Sequence, residues 1–210
     1  MAHKRHESAR ARLNREKILN TAGYLFGQKG YIATSIDDIA KAGKMNKASI
    51  YYYFKNKADI LSELGFLNVQ TMIDQALPIV NSNMQFEEKL RLFIIRHVEF
   101  LLSRLRLTGV GYKERKNLPP KLFRMYIEMR DQYERLFRKI LEDGNKEGGL
   151  DCKDTKLASL LILGFLNSTL QWFRPEGRLS IDEIVNEIYT FVSKGLKGIS
   201  IDPKLGSNVE

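Results

Sequence analysis

From residue 13 onward the apolar positions repeat with helical spacing. Residues 13–29 place Ile18, Leu19, Ala22, Leu25 and Phe26 on one stripe, and Gly30 follows as a stop, which predicts a first helix. Thr34 or Ser35 can cap a second, short helix over Ile36 to Ala42, since each is followed three residues later by an acid, Asp37 or Asp38. Gly43 and Lys44 make the turn, and Asn46 caps a third helix over Lys47 to Phe54. Asn56 with Asp59 repeats the cap pattern at the start of a fourth helix, which Pro78 is expected to end.

The same period continues through Phe86, Leu90, Phe93, Ile94, His97 and Leu101. After the Pro119-Pro120 break it resumes through Leu122, Tyr126, Met129, Tyr133, Leu136, Phe137 and Ile140, with Gly144, Gly148 and Gly149 punctuating its end. Residues 154–173 form a helix that is apolar almost all round, with Leu157, Leu160, Leu161, Leu163, Phe165 and Leu166, so it must be covered on both sides. A capping box of Ser180 and Glu183 opens the last helix, whose single stripe is Ile181, Ile184, Val185, Ile188, Val192 and Leu196. Nothing alternates with period two for long, so the fold class is all-α, about nine helices in total. His97 lies on its helix's apolar stripe and is read as a core histidine.

Charge sharpens the picture once it is located. Residues 1–58 hold twelve Lys or Arg against Glu7, Glu16, Asp37 and Asp38, a balance of +8 out of a net +9. Such a concentration suits a polyanion, nucleic acid or an anionic membrane surface. The stripe of the first helix matches Ile39, Ile50 and Phe54 too well to be free for lipid, so no membrane partner is expected. A single cysteine, Cys152, and only His3, His6 and His97 leave neither a disulfide framework nor metal-ligand spacing. The first twelve residues lack an apolar stretch behind their basic ones, and the reading is cytoplasmic. No nucleophile-base pair and no phosphate-cradling glycine loop is present, so neither enzyme activity nor a cofactor is expected.

Two short helices joined by a tight turn, with basic and aromatic residues on the second, are the layout that puts a helix into the major groove. At 100° per residue, Ile50 and Phe54 fall on the inward side of the third helix, while Ala48, Ser49 and Tyr52 fall outward, flanked by Tyr51 and Tyr53. Three consecutive tyrosines cannot all face one core, although part of the cluster can be ordinary packing. Lys47 and Lys57 can neutralise phosphates, and the small Ala48 lets the helix approach base edges.

The runs Thr34–Ala42 and Asn46–Lys57 closely resemble the DNA-binding domain of the TetR family of repressors, over residues 13–62. The resemblance implies DNA contacts from Ser35, Lys47, Ala48, Ser49, Tyr51, Tyr52, Tyr53 and Lys57, more of them to the backbone than to bases. It also implies a helix-turn-helix domain over 1–56, with 1–12 a flexible basic tail, a ligand-binding and dimerisation domain over 57–198, and a tail over 199–210. One departure stands out: the family usually has Ala then Gly in the turn, and here Gly43 precedes Lys44, so Lys44 is placed where a left-handed conformation favours glycine.

The segment Leu166–Ser180, and more weakly the surroundings of Tyr112, Glu114, Arg115, Leu118, Pro119 and Pro120, resemble TetR-family repressors of fatty-acid, steroid or aromatic-acid catabolism, which respond to CoA thioesters. On that resemblance Phe100, Tyr126, Met129 and Tyr133 line an apolar tunnel, Arg104, Arg115, Trp172 and Arg174 meet the polar head, and Tyr112 is a further ligand-binding candidate. Packing of Trp172 in the core with solvated arginines is the plain alternative. The expected whole is a homodimer paired through its last two helices on a palindromic double-stranded operator, responding to an acyl-CoA or similar small molecule. A repressor sensing a non-CoA hydrophobic ligand, or a nonspecific architectural DNA-binding protein, remains open.

Overall fold

The computed structural model describes residues 9–103 and 105–196, with the side chains of 105–108 left aside. Among these residues the chain is helical throughout: α1 Ala9–Lys29, α2 Ile36–Ala42, α3 Lys47–Tyr53, α4 Lys57–Val80, α5 Phe86–Ser103, α6 Leu105–Glu114, α7 Pro120–Lys146, α8 Thr155–Trp172 and α9 Ile181–Leu196, with a 3-10 turn at Arg115–Asn117. The described residues divide into two compact units, 9–73 with 103 and 105–132, and 74–102 with 133–196.

In the first unit α1 packs on α2 and α6, and α2 on α3. The expected stripe is the one that is buried: Ile18, Leu19, Ala22 and Phe26 meet a core with Ile39, Ile50, Phe54 and Ile60. Burying such side chains stabilises by about 1.5–3 kcal/mol each. Two glycines set the helix spacing. A Cβ on Gly111 of α6 would lie 3.4 Å from the Cα of Gly65 on α4, and one on Gly65 would lie 3.3 Å from the Tyr126 ring of α7. Gly111 stands at this crossing where a stripe would carry a large side chain, and α6 is the helix that the apolar spacing does not predict.

The second unit has its core on α5 and α7. Phe93 stacks on Tyr133 and Phe137, with centroids at 5.2 Å and 4.5 Å, and on His97 at 6.4 Å. His97 is buried, and its Nδ1 lies 2.9 Å from the Tyr133 hydroxyl. Burial pushes that phenol well above the usual tyrosine range. Ser159, fully enclosed on α8, donates to the buried Glu134 carboxylate, itself beside Arg138.

Three expected boundaries are corrected, the first being the start of α1 at Ala9, inside the stretch expected as a flexible tail. Pro78 does not end the fourth helix, which runs to Val80; so near the terminus, proline removes one amide without interrupting a following turn. Gly144 lies inside α7, not at its end. Its missing Cβ makes room for the Phe86 ring, which a Cβ would approach to 2.5 Å. The stop comes at Gly148, with φ 75°, where Gly148 N–H donates to the Asn145 carbonyl and Gly149 N–H to that of Gly144.

Candidate nucleic-acid interface

The choice of cap for α2 resolves in favour of Ser35. Its hydroxyl accepts from the Asp38 amide at 3.1 Å, and the Asp38 carboxylate accepts from the Ser35 amide at 2.8 Å. Thr34 is buried instead, donating to the Gly30 carbonyl at 2.8 Å. A hydrogen bond from Lys29, together with the Ser35 amide and hydroxyl, holds the Asp38 carboxyl well below the usual range.

The turn into α3 closes as a Schellman motif: Met45 N–H donates to the Ala40 carbonyl at 3.0 Å, and Lys44 N–H to that of Lys41 at 3.1 Å. Lys44 has φ 49°, the non-glycine residue with positive φ among the described residues, so the sequence departure lands on the left-handed position. That conformation costs an L-residue about 1–2 kcal/mol. Gly43 keeps ordinary right-handed angles, and a Cβ there would sit 2.6 Å from the Met45 Cε.

Asn46 caps α3, its side chain accepting from the Ser49 amide at 2.7 Å and from the Ser49 hydroxyl at 2.8 Å. The Ser49 oxygen keeps its lone pairs for another donor. Ile50 and Phe54 are buried, and the opposite side of the helix presents Lys47, Ala48, Tyr51 and Tyr52. Tyr52 is 81% exposed and meets Tyr53 edge-on at 4.9 Å. Tyr53 is half-buried, its hydroxyl accepting from Asn14 at 3.4 Å. Lys47 pairs with Asp37 at 2.9 Å, which raises the lysine above its ordinary value; both side chains are exposed, so a phosphate can compete for the ammonium.

Lys57 is placed differently from the other expected contacts. Its ammonium donates to the carbonyls of Thr34 at 2.6 Å, Tyr31 at 2.7 Å and Ile32 at 3.3 Å, and lies 4.3 Å from the centre of the Tyr31 ring. Desolvation holds it below the ordinary lysine range in spite of those acceptors. To reach a phosphate it has to release them. A second tie was not legible in sequence: Arg15 of α1 grips Glu63 of α4 through two N–H groups and lies 4.8 Å over the Phe54 ring.

The expected effector residues fall in both units. Tyr112, Arg115, Tyr126 and Met129 belong to the first, and Phe100, Tyr133, Trp172 and Arg174 to the second. Arg104 lies outside the described residues. Phe100, Tyr126 and Tyr133 are buried and Met129 is half-buried. Trp172 is exposed, so it does not pack in a core, and Arg174 turns back to the Phe173 carbonyl at 2.9 Å. Burial raises the Tyr126 hydroxyl above its usual range, although Arg130 and Arg115 act the other way.

Residues 18–64 match the family of bacterial regulatory proteins, tetR family, and residues 83–196 match the tetracyclin repressor-like C-terminal domain. The chain is 25% identical over 186 residues to the HTH-type transcriptional repressor KstR2 of Rhodococcus jostii, covering 87% of this chain and 90% of that one. The TetR family transcriptional regulator PfmR from Thermus thermophilus superposes with a TM-score of 0.80 at 30% identity, over 86% of this chain and 99% of that one. AibR, solved in complex with isovaleryl coenzyme A and operator DNA, shares the fold with a TM-score of 0.77 at 22% identity, over 85% and 97% of the two chains. With matches over both its capped N-terminal helices and most of the rest, the chain belongs to the TetR family of DNA-binding transcription regulators.

Proposed function

We propose that this regulator represses transcription as a cytoplasmic homodimer on a palindromic operator and leaves DNA when an amphipathic effector, an acyl-CoA thioester or a molecule of similar build, binds its helical C-terminal part. The observation that carries the DNA reading is the outward face of α3, where Lys47, Ala48, Tyr51 and Tyr52 lie exposed over a buried Ile50 and Phe54. Ala48 and Ser49 face base edges in this reading, while Ser35, Lys47, Tyr51, Tyr52 and Tyr53 meet the backbone. Lys57 orders the loop before α2 and meets a phosphate only on releasing those carbonyls.

Dimerisation is supported by the exposed apolar half of α8. Leu157, Leu160, Leu161 and Phe165 are exposed there, and Gly164 has open space where a Cβ would stand. On α9, Phe191 is 69% exposed with its ring 5.3 Å from Phe165. Pairing α8 and α9 about a two-fold axis makes a four-helix bundle, and spaces two recognition helices for half-sites about 34–36 Å apart. For the effector, support comes from the acyl-CoA held by AibR and from the sequence likeness of Leu166–Ser180.

The test starts from an operator selected from genomic fragments against bulk competitor DNA. Fluorescence anisotropy is then expected to show release on adding an acyl-CoA of suitable chain length, and no effect of free coenzyme A. Absence of any preferred fragment overturns the repressor reading. Operator binding indifferent to a panel of acyl-CoAs overturns the effector class.

A further inference from the structure

At the corner where α6 passes through the Arg115–Asn117 turn into α7, two cations share one ring. The Arg115 guanidinium carbon lies 4.3 Å from the centre of Tyr112, and that of Arg130 lies 5.3 Å from it. All three side chains are half-buried. The charges therefore sit within about 10 Å of each other, no more than a Debye length at ordinary ionic strength, and they repel. Among the described residues no carboxylate lies within 4.0 Å of either guanidinium. The nearby acid is otherwise engaged, with the Glu114 carboxylate accepting from Asn117 at 2.7 Å.

Both guanidiniums rest against the Tyr112 ring. An Nη1 of Arg115 also donates to the Tyr112 carbonyl, and the charge of Arg130 lies near enough to the buried Tyr126 hydroxyl to oppose the upward push of burial on it. A guanidinium carries five N–H donors in fixed geometry, so each anchored fork keeps most of its donors for a further acceptor. Ordinary solvated arginines lie along a surface without such anchoring and are seldom paired over one half-buried ring. We propose that Arg115 and Arg130, braced on Tyr112, form a cradle for an oxyanion of the effector, either a phosphate or a carboxylate, and this rests on the effector reading above.

Its place gives the cradle a consequence. Within the same compact unit α6 packs on α1, and at Gly111 it comes close to Gly65 and Asn68 of α4. Glu114, beside Arg115, is within electrostatic reach of Tyr31, the residue against which Lys57 lies. An anion that draws the two guanidiniums together acts on the Arg115–Asn117 turn, which packs on α6 as α6 packs on α1. The effector's charged end then acts directly on the DNA-binding helices, and its apolar end supplies affinity.

The test uses the full chain with nitrogen-15 labelling. The Nε–Hε cross-peaks of the two arginines are assigned by their loss in Arg115→Gln and Arg130→Gln, or in the Lys variants if a Gln variant fails to fold. Octanoyl-CoA, octanoate and inorganic pyrophosphate are titrated separately, with binding heat measured in parallel. Both cross-peaks are expected to move together with at least one probe, and each Gln variant to bind that probe about 10-fold to 100-fold more weakly. Response to pyrophosphate and octanoyl-CoA identifies a phosphate; response to octanoate alone identifies a carboxylate. Heat from a probe with both cross-peaks unmoved overturns the cradle and leaves the effector reading standing. No heat and no shift with any probe overturns both.

Discussion

The ammonium of Lys57 lies 4.3 Å from the centre of the Tyr31 ring and donates to the carbonyl of the same residue at 2.7 Å. One side chain at the start of α4 thereby fastens the loop between α1 and α2, because the Thr34 carbonyl is its second strong acceptor at 2.6 Å. Lys57→Met keeps the stem and removes the donors, so the Thr34 carbonyl loses its ammonium partner and that of Tyr31 keeps only the Thr34 amide. The expected loss of stability is about 1–3 kcal/mol, moderated by water that reaches the outer carbonyl. Urea denaturation checks it. An unchanged midpoint would show that the loop stands without its tether.

Lys44→Gly tests the strained turn. Relief of a left-handed lysine is worth about 1–2 kcal/mol, and glycine gives back about 0.4–1 kcal/mol by enlarging the freedom of the unfolded chain. The net expectation is a gain of about 0.5–1 kcal/mol, which raises the melting temperature by a few degrees at most for a chain of this size. A fall in melting temperature would mean that the Lys44 side chain makes a compensating contact.

What the sequence reveals follows the range of the interactions. Ser35 with Asp38, Asn46 with Ser49, and Ser180 with Glu183 cap helices across three residues, so their spacing is visible in one dimension and the expected helix starts agree with the structure. The Lys44 conformation follows from counting positions in a turn. By contrast, Arg15 with Glu63, Lys57 with Tyr31, and Tyr112 with Arg130 are joined only through space, and no periodicity announces them. Helix α6 escaped because its packing uses Gly111 where a stripe would have a large apolar side chain. Pro78 misled because a proline near a helix terminus and one that ends it look alike in sequence.

Alkaline pH separates Tyr133 from the rest of the core. Burial raises its phenol in the folded chain, while in the unfolded chain it ionises near 10. Above that value the unfolded state has lost a proton that the folded state keeps. Stability is therefore complete below about pH 10 and falls as pH rises toward the folded value. Tyr31 and Tyr126 are raised as well and act in the same sense. Tyr133→Phe is expected to cost about 1 kcal/mol at pH 7, through loss of the bond to His97 Nδ1, and to lose less stability than the parent between pH 9 and 11. Chemical denaturation at both ends of that interval checks it, and parallel curves would place the alkaline sensitivity elsewhere.

Tyr52→Ala separates folding from DNA recognition. At 81% exposure the ring contributes little to the core, so the melting temperature is expected to stay within the small range of ordinary surface substitutions. Operator affinity is expected to fall about 10-fold to 100-fold, with effector binding unchanged. Joint loss of both activities in a folded protein would contradict separate sites for DNA and effector.

Leu161→Glu tests the pairing of α8 and α9. Leu161 is 65% exposed, so a carboxylate there faces water in an isolated chain and leaves its fold intact. In a two-fold interface the substitution appears twice, and each copy buries a charge against apolar neighbours or its own image. Sedimentation velocity is expected to show the parent at twice the 24.3 kDa chain mass and the variant at the single-chain value, with an unchanged helical spectrum. Operator affinity should fall by about 100-fold or more, because the second half-site is then no longer bound intramolecularly. Lys139→Glu, on an exposed part of α7, serves as the charge-change control and should leave the assembly unaltered. A variant that still sediments as a dimer places the interface on another face, and a single-chain parent removes the two-fold arrangement on which recognition of a palindrome depends.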